Sequence, residues 1–421
     1  MRNSTVRAVN ALTSRWAGAL PDGGTVFTAA GVWPLLGLLA GGAAGAARAE
    51  LAGALGLSAE EAPAAARELL SALEGVRGLR AATGLWSTAG STPAREWLDT
   101  LPEGARGTLG GDDPAADRAL LDGWAAERTG GEIGRVPVDL PKDARGPSLV
   151  LASALSLRLN WIRPFDAWPG EVYDGPWAGR ILLLLRRDTA LLDRVGVARA
   201  DSGTVTLLEV VGDAGVDVHL VLGGPGAAPG EVLTTGIEAV TRARATIGAS
   251  LLPDGEPGPG LTLTTVPATT REPRLLIETP AFEVRAEHDL LDSARLFGLE
   301  SARDPASHLF PGISGIAGEP VFVGSAAQSA VGRFHARGFE AAAVTTIAMA
   351  AGGLPRFPHR ARHAEVSFHR PFGFLAVHRT SRLVLAAGWV TEPCAYEERE
   401  EHGEHADSNA HGGRAKGVVG A

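Results

Sequence analysis

Apolar residues recur at helical spacing near the start of the chain and mark its first predicted elements. From residue 3 onward, large apolar side chains follow one another at intervals of three or four, at Val6, Val9, Leu12, Trp16 and Leu20. This spacing predicts an amphipathic helix over residues 3–19. Two more helices are predicted at 46–55 and 59–73, the second capped by Ser58. The first third of the chain is therefore expected to be mainly helical.

The pattern changes to that of strands in the later part of the chain. Residues 149–159 form a nearly continuous apolar run, which predicts a strand buried on both faces. Short segments of alternating apolar and polar residues follow, at 205–222, 261–266, 274–284 and 366–390. Two stretches rich in glycine and proline, 223–230 and 255–260, predict loops between strands.

One uncharged stretch, residues 25–47, is long enough to cross a bilayer. About half of its residues are glycine or alanine, so its apolar character is weak. Asp22 and a long polar lead precede it, which is unlike the short basic start of a signal peptide. We therefore expect a helix buried in a large core, no membrane association and a cytoplasmic location, with release from the cell left open.

Composition narrows the classes of function. The 421 residues are enough for one large domain or two, and the net charge of −9 argues against a nucleic-acid partner. A single cysteine, Cys394, excludes an internal disulfide framework. After Pro393 the chain becomes acidic and His-bearing, which predicts a disordered tail at 395–421 after a domain at 1–394. Histidines in a flexible segment lack a preformed site, so no metal is expected.

Motifs for enzyme chemistry are absent from the sequence. It contains no G-x-S-x-G nucleophile elbow, no Walker phosphate loop and no H-E-x-x-H zinc helix. The stretch GEPGPG at 255–260 contains prolines and precedes no predicted helix, unlike a dinucleotide-binding loop. We therefore expect no catalytic residue, no cofactor and no enzymatic activity.

Residues 336–363 carry three conflicting local signals. Alanines favour a helix, the β-branched residues at 344–347 favour a strand, and Gly-Gly-Leu-Pro at 352–355 favours a loop. Such conflict is typical of functional or strained segments. In an extended segment alternate side chains share a face. Here one such face is largely apolar: Phe339, Ala341, Ala343, Thr345, Ile347 and Met349.

Several groups of residues follow one another in a characteristic order between residues 3 and 393. They are 26–28 (VFT), Trp124 with 129–133 (TGGEI), 149–166 (LVLASALSLRLNWIRPFD), 275–284, 296–298 with 310–315 (FPGISG), 365–372 (EVSFHRPF) and 385–393. In this order they resemble the serpin family, of the bacterial type. The resemblance implies an α+β serpin fold: a helical N-terminal part, a large central mixed β-sheet, two smaller β-sheets and an exposed reactive-centre loop.

The resemblance also implies a function. A serpin is a metastable inhibitor whose loop is cut by a serine protease. The cut loop then enters the central sheet as an extra strand and traps the protease as an acyl-enzyme. A monomer is implied, with a subtilisin-, elastase- or trypsin-like serine protease as partner. The family spacing puts the bait bond at Gly352–Gly353, with Leu354 or Arg356 as alternatives in a lengthened loop.

The hinge of that loop corresponds to eight consecutive residues: Gly338, Phe339, Glu340, Ala341, Ala342, Ala343, Val344 and Thr345. It departs from the inhibitory pattern at Phe339, where Thr or Ser is usual, and at Ala336, which replaces an acidic residue. Overpacking by the ring is expected to oppose insertion by about 1–3 kcal/mol. The alternative function is therefore that of a non-inhibitory serpin, a binding, carrier or interaction protein.

The resemblance implies further site residues in the central sheet and beneath it. Trp161 corresponds to the tryptophan at the top of the sheet, in the region called the breach, where insertion starts. Thr28, Gly31, Ser153 and Gln328 occupy the shutter beneath the sheet, where two serines, an asparagine and a histidine are usual. Three of these four side chains are polar, so we expect a rewired hydrogen-bond network.

Overall fold

The computed structural model describes residues 1–88, 91–93, 95–138, 140, 148–305, 310, 313–315, 321–339 and 357–396. Its α-helices are α1 (Asn3–Gly18), α2 (Ala29–Ala40), α3 (Gly45–Leu55), α4 (Ala62–Glu74), α5 (Arg95–Leu98), α6 (Pro114–Thr129), α7 (Pro229–Val240) and α8 (Ala294–Phe297). The helices predicted over 3–19 and 46–55 are confirmed as α1 and α3. The helix predicted over 59–73 begins three residues late, because Ser58 caps the turn before it through Glu61 N.

Helix α2 forms from the uncharged stretch. All twelve of its residues are buried, which confirms the expected core helix. The Thr28 hydroxyl caps this helix by accepting a hydrogen bond from Gly31 N at 3.2 Å. Among the helices of the described ranges, none is both long and apolar enough to cross a membrane.

The strands alternate with the helices in the first half and dominate the second. In chain order they are β1 (Thr25–Phe27), β2 (Leu79–Thr88), β3 (Ser91–Pro93), β4 (Arg106–Leu109), β5 (Ser148–Leu157), β6 (Asp166–Glu171), β7 (Ile181–Thr189), β8 (Val195–Ala200), β9 (Gly203–Val211), β10 (Val216–Leu222), β11 (Thr246–Gly248), β12 (Gly255–Gly258), β13 (Leu261–Ala268), β14 (Arg274–Pro280), β15 (Phe282–Asp289), β16 (Ile313–Gly315), β17 (Phe322–Phe334), β18 (His359–Ser367), β19 (Phe372–His378) and β20 (Val384–Val390). The buried run at 149–159 is confirmed as β5, and all ten of its residues are buried.

Three main sheets arise from these strands. A mixed sheet has the order β15-β17-β5-β2-β4 and contains the longest strands, including the thirteen-residue β17. We call it the central sheet. A second sheet has the order β1-β20-β19-β10-β9-β8-β11, and a third has the order β12-β13-β18-β14-β7-β6. The α+β class is therefore confirmed, with a parallel pair, β17 and β5, inside the central sheet.

Both loops predicted from glycine and proline are wrong in part. Helix α7 begins at Pro229 inside the first stretch, since proline is favourable in the first turn of a helix. In the second stretch residues 255–258 pair with β13 as the edge strand β12. An edge strand tolerates proline because one of its sides needs no donors.

The central sheet lies between two apolar layers. On one face α2 and the second sheet form the main core, and on the other α6 covers a smaller cluster that includes Leu121, Val150 and Ala154. Phe282 at the start of β15 joins the sheets. Its ring centroid lies 5.4 Å from that of Phe334 on β17 and 5.1 Å from that of Phe374 on β19.

The last described residues pair with the third sheet. Ala395 forms a bridge with Leu182, and Tyr396 N donates to Ile181 O at 3.2 Å. This pairing extends two residues past the expected domain end at 394. Most of the predicted tail, with His402, His405 and His411, lies outside the described residues. Within those residues, no group of three His, Cys, Asp or Glu side chains could hold a metal.

The aromatic contact between the sheets gives a first prediction. Phe282→Ala should lower the free energy of unfolding by about 3–5 kcal/mol, because the lost ring leaves a cavity where the two sheets meet. Phe357→Ala, which truncates a ring that is 56% exposed, is the matched control and should change it little. Urea denaturation followed by tryptophan fluorescence measures both, and equal losses would contradict the role given to Phe282.

Candidate functional site

The parallel pair at the middle of the central sheet forms the body of the candidate site. Strand β17 pairs with β5 from Phe322 opposite Ser148 to Ala330 opposite Leu155. Beyond Ala330, β17 continues to Phe334, where the chain turns. We call this end of the strand pair its upper end. Because β5 and β17 are parallel, a strand inserted between them would run antiparallel to both.

The turn after β17 is fastened to the segment that follows β5. Trp161 N donates to Arg337 O at 2.9 Å, and Phe165 N donates to Ala336 O at 2.7 Å. The Trp161 indole Nε1 donates to His335 O at 2.8 Å, and its ring packs 4.7 Å from Phe334. Trp161 thus lies at the expected end of the sheet and holds the turn in place.

The first two hinge residues lie between the ends of the two strands. Gly338 forms an antiparallel bridge with Asn160, and Phe339 N donates to Leu159 O at 2.9 Å. On the other side, His335 N donates to Gly338 O at 2.9 Å. A Cβ atom on Gly338 would lie 2.2 Å from Leu159 O, so only glycine allows this close approach. The hinge therefore begins with one β-bridge between the ends of β5 and β17.

The Phe339 ring already lies in the core. It is 2% exposed, and its centroid is 6.1 Å from that of Phe374 on β19. Gly332 on β17 leaves room for it, because a Cβ there would meet the ring at 3.3 Å. The burial of this ring precedes any further insertion, so the overpacking expected from the sequence does not arise as a first step. Glu340, Ala341, Ala342, Ala343, Val344 and Thr345 lie outside the described residues, as do Gly352, Gly353, Leu354 and Arg356.

The shutter residues Thr28 and Gln328 form a reciprocal pair. Thr28 N donates to Gln328 Oε1 and Gln328 Nε2 donates to Thr28 O, both at 2.8 Å. The Thr28 hydroxyl donates to Leu385 O at 2.6 Å. These contacts join the start of α2 to β17 and β20, so two of the three polar shutter side chains are hydrogen-bonded.

Ser153 differs from Thr28 and Gln328 because its hydroxyl is unsatisfied. It is fully buried on β5, and its Oγ has no hydrogen-bond partner among the described residues. A Cβ on Gly31 would lie 2.6 Å from this oxygen, so the absence of a side chain at 31 makes room for it. A buried hydroxyl without a partner is unfavourable by about 1–3 kcal/mol.

Two further polar residues complete a transverse row across the sheet. Thr83 on β2 lies opposite Ser153, which lies opposite Gln328, which lies opposite His288 on β15. We call these four residues the polar row. His288 Nε2 donates to Val26 O at 3.0 Å, and burial of the ring lowers the pKa of His288 below its ordinary value. The sequence did not indicate Thr83 or His288, since only the strand register reveals them.

One carboxylate links both strands of the parallel pair at their upper ends. Glu132, in the turn after α6, forms ion pairs with Arg158, just beyond β5, and with Arg333 on β17. Arg333 also lies 3.2 Å from Glu283 on β15. Glu132 is 12% exposed, so solvent screens these ion pairs less than it would at the surface. The turn after α6 is thereby connected to the two strands that an insertion would separate.

Two of the shutter side chains give opposite predictions for stability. Ser153→Ala should raise the free energy of unfolding by about 1–2 kcal/mol, because it removes an unsatisfied buried hydroxyl. Thr28→Val should lower it by about 1–3 kcal/mol, because it removes the bond to Leu385 O and the cap on Gly31 N. Thermal midpoints of the two variants are the measurement, and a destabilised Ser153→Ala would mean that this hydroxyl has a partner.

The buried histidine predicts a dependence of stability on pH. The imidazole of the unfolded chain protonates near pH 6.5, whereas the buried His288 ring resists protonation. Stability should therefore fall as the pH drops below about 6.5, since the unfolded state takes up more protons. His288→Gln should reduce this fall, though burial also lowers the pKa of His219, His335 and His378. Thermal midpoints at several pH values test this, and an unchanged slope in the variant would exclude a contribution from His288.

The sequence and the fold of this chain were compared with those of known proteins. A family model described as serpin (serine protease inhibitor) matches residues 4–170 and 261–393. A search of curated protein sequences finds no match. The native-state structure of tengpin, a thermophilic serpin, is similar at 14% identity, with a TM-score of 0.70 over 92% of this chain and 93% of that one.

Two further structures extend the comparison. Human thyroxine-binding globulin complexed with thyroxine is 16% identical, with a TM-score of 0.67 over 93% of this chain and 98% of that one. Native protease nexin-1 with heparin is 15% identical, with a TM-score of 0.69 over the same shares. At these identities the likeness concerns the fold. Since the family model covers most of the sequence and the fold agrees, the chain belongs to the serpin family.

Proposed function

We propose that this chain is an irreversible inhibitor of serine proteases that inserts its cut loop between β5 and β17. One observation carries the proposal: Gly338 and Phe339 already hydrogen-bond at the upper end of that parallel pair. Continuing the same antiparallel pairing would extend the hinge down the sheet as a new strand. The nucleophile belongs to the protease, so the proposal requires no catalytic residue in this chain.

The strand registers support this route independently from both sides. Gly338 lies opposite Asn160 in an antiparallel bridge. If this pairing continued without a bulge, each step forward along the hinge would be one step back along β5, so Thr345 would lie opposite Ser153. His335 bonds to Gly338 on the other side, and the same count along β17 brings Thr345 opposite Gln328. Ser153 and Gln328 are themselves paired in the closed sheet. Both counts therefore select the same residue.

Thr345 would then enter the polar row. Odd-numbered residues of the new strand share the face of Phe339, whose ring points to the main core. A threonine hydroxyl on that face would meet Ser153 Oγ, which, like Thr83 Oγ1, has no partner among the described residues. The unsatisfied hydroxyl of the closed sheet would thus gain its hydrogen bond on insertion.

The inserted state is favoured because it would contain more hydrogen bonds between strands than the closed sheet. Separating β5 from β17 breaks one strand interface, in which eight residue pairs are in register. The new strand forms two interfaces of similar length. A net gain on the order of ten hydrogen bonds, at about 0.5–1.5 kcal/mol each, favours the inserted state by roughly 10 kcal/mol.

The length of the slot supports the bait bond at Gly352–Gly353. By the same register, residue 350 faces Ser148, the first residue of β5. A cut after Gly352 would leave a strand that fills the sheet and ends just beyond it. Cuts at Leu354 or Arg356 would leave a longer overhang and remain the alternatives.

The inhibitory function is tested with a panel of subtilisin-, elastase- and trypsin-like proteases on denaturing gels. An inhibitor gives a covalent complex that survives SDS, and mass spectrometry of the released fragment identifies the bait bond. The alternative, a binding or carrier serpin, is motivated by Phe339 at a position where a small polar residue is usual. It would give only cut chain, with a thermal midpoint unchanged by cleavage.

The register gives a prediction for Thr345. Thr345→Arg should place a charge in the buried polar row, so insertion stalls and the variant becomes a substrate, with the share of covalent complex falling at least about tenfold. Thr345→Ser keeps a hydroxyl and is the matched control that should still form complex. The ratio of complex to cut chain on gels measures the effect, and full inhibition by Thr345→Arg would refute this register.

A further inference from the structure

A cavity of about 620 Å³ lies between the second and third sheets. Three turns rich in glycine and proline form most of its wall: 202–205 between β8 and β9, 223–227 after β10, and 256–260 between β12 and β13. Arg370, three residues after β18, completes the lining. The cavity therefore lies at the end of β18 that is away from the loop.

Arg370 is the cation among the lining residues, and it has no partner in the described chain. Its guanidinium forms no hydrogen bond or ion pair with another described residue, and its Nε is buried. Burial lowers the pKa of Arg370 below its ordinary value, and Asp174, beyond ion-pair distance, offsets this only in part. A buried donor without an acceptor is rare in folded proteins. A carboxylate placed in the cavity would supply the missing acceptor.

The last described residue lies close to this arginine. Tyr396 N donates to Ile181 O, at the base of the hairpin that β6 and β7 form. Gly175, in the turn of the same hairpin, packs against Arg370, since a Cβ on Gly175 would lie 4.0 Å from Arg370 Cβ. Five further residues in extended conformation span about 16 Å. The chain that follows Tyr396 can therefore reach the cavity.

The residues that follow Tyr396 have the charges that the cavity lacks. They are Glu397, Glu398, Arg399, Glu400 and Glu401. Four carboxylates thus follow directly where Arg370 has none, and Arg399 has a counterpart in the exposed Glu256 of the cavity wall. Composition alone predicts disorder for this acidic run, because it has little apolar area to bury. Opposite charges on a preformed surface can order such a segment.

Both the acidic run and most of the cavity wall lie outside the family match. The serpin model leaves residues 171–260 unmatched and ends at residue 393. The three turns fall in the unmatched interval, and the acidic run follows the end of the match. The two parts are therefore additions relative to the family model, and the fold brings them to the same end of the molecule.

We propose that residues 397–401 of this chain occupy the cavity, with a glutamate carboxylate on the Arg370 guanidinium and Arg399 beside Glu256. A guanidinium binds a carboxylate through two parallel hydrogen bonds, so one glutamate can satisfy the buried Nε. The acidic run then ties the second sheet to the third, at the end away from the loop. This contact lies within one chain and is independent of loop insertion, so it stands whether or not the chain inhibits proteases.

Zero-length cross-linking of the full chain tests this contact. Arg370→Lys keeps the positive charge and adds an amine to a chain whose sequence contains two lysines, Lys142 and Lys416. A water-soluble carbodiimide should join the new amine to a glutamate of residues 397–401, because it couples an amine only to a carboxylate in direct contact. Mass spectrometry of the digested chain identifies the joined peptides.

A matched control comes from the other end of the third sheet. Arg271→Lys changes an exposed arginine in the turn before β14, and it should give at least about tenfold less product with residues 397–401. Equal yields from the two variants would overturn the proposal. So would a product of Arg370→Lys that joins the new amine to Asp174 and not to the acidic run. Thermal midpoints verify that both variants are folded.

A second measurement does not depend on these variants. In the unchanged chain, the backbone ¹⁵N–¹H nuclear Overhauser values of residues 397–401 should exceed those of 408–413, which carry no carboxylate side chain. Salt at about 1 M should reduce this difference, because it screens the charges that hold the acidic run. Values for 397–401 as low as those for 408–413 at low salt would mean that the run does not occupy the cavity.

Discussion

The parallel pairing of β5 with β17 is the constraint on which the rest of this structure depends. Parallel strands need a long connection, and here that connection runs through β6–β16, so the two strands are neighbours only through the assembly of the domain. The hinge begins at the upper end of this pair, Trp161 fastens the turn there, and the polar row crosses its middle. Each part of the candidate site is thus defined by its position along one strand interface.

Hydrogen bonding differs between the two sides of that interface. Thr28 and Gln328 satisfy each other and tie β17 to α2, whereas Ser153, directly opposite on β5, is left without a partner in the described chain. The row is therefore asymmetric, strongly held on the β17 side and deficient on the β5 side. An unsatisfied group in a closed sheet raises the free energy of that state, and the proposed insertion would remove this cost.

Periodicity and resemblance together predicted much of this arrangement. The buried run of β5 and the core helix α2 followed from apolar patterning, because such elements bury nearly every side chain. Thr28, Ser153, Gln328 and Trp161 followed from resemblance. Thr83 and His288 could not be found in this way, since neither motif nor spacing marks them and only the register brings them into line. Phe339 was expected to be an obstacle because a sequence does not reveal that Gly332 leaves space for its ring.

Glu132 connects the outer helix α6 to the two strands between which the loop would insert. Its single carboxylate is shared by Arg158 beyond β5 and Arg333 on β17, and it sits on the turn that leaves α6. Neighbouring strands are about 4.8 Å apart, so a strand inserted between β5 and β17, as proposed, would move these two arginines farther from each other. Insertion would therefore strain at least one of the two ion pairs that Glu132 makes. On that route the turn after α6 would have to shift as the sheet opens, and the outer helix would shift with it.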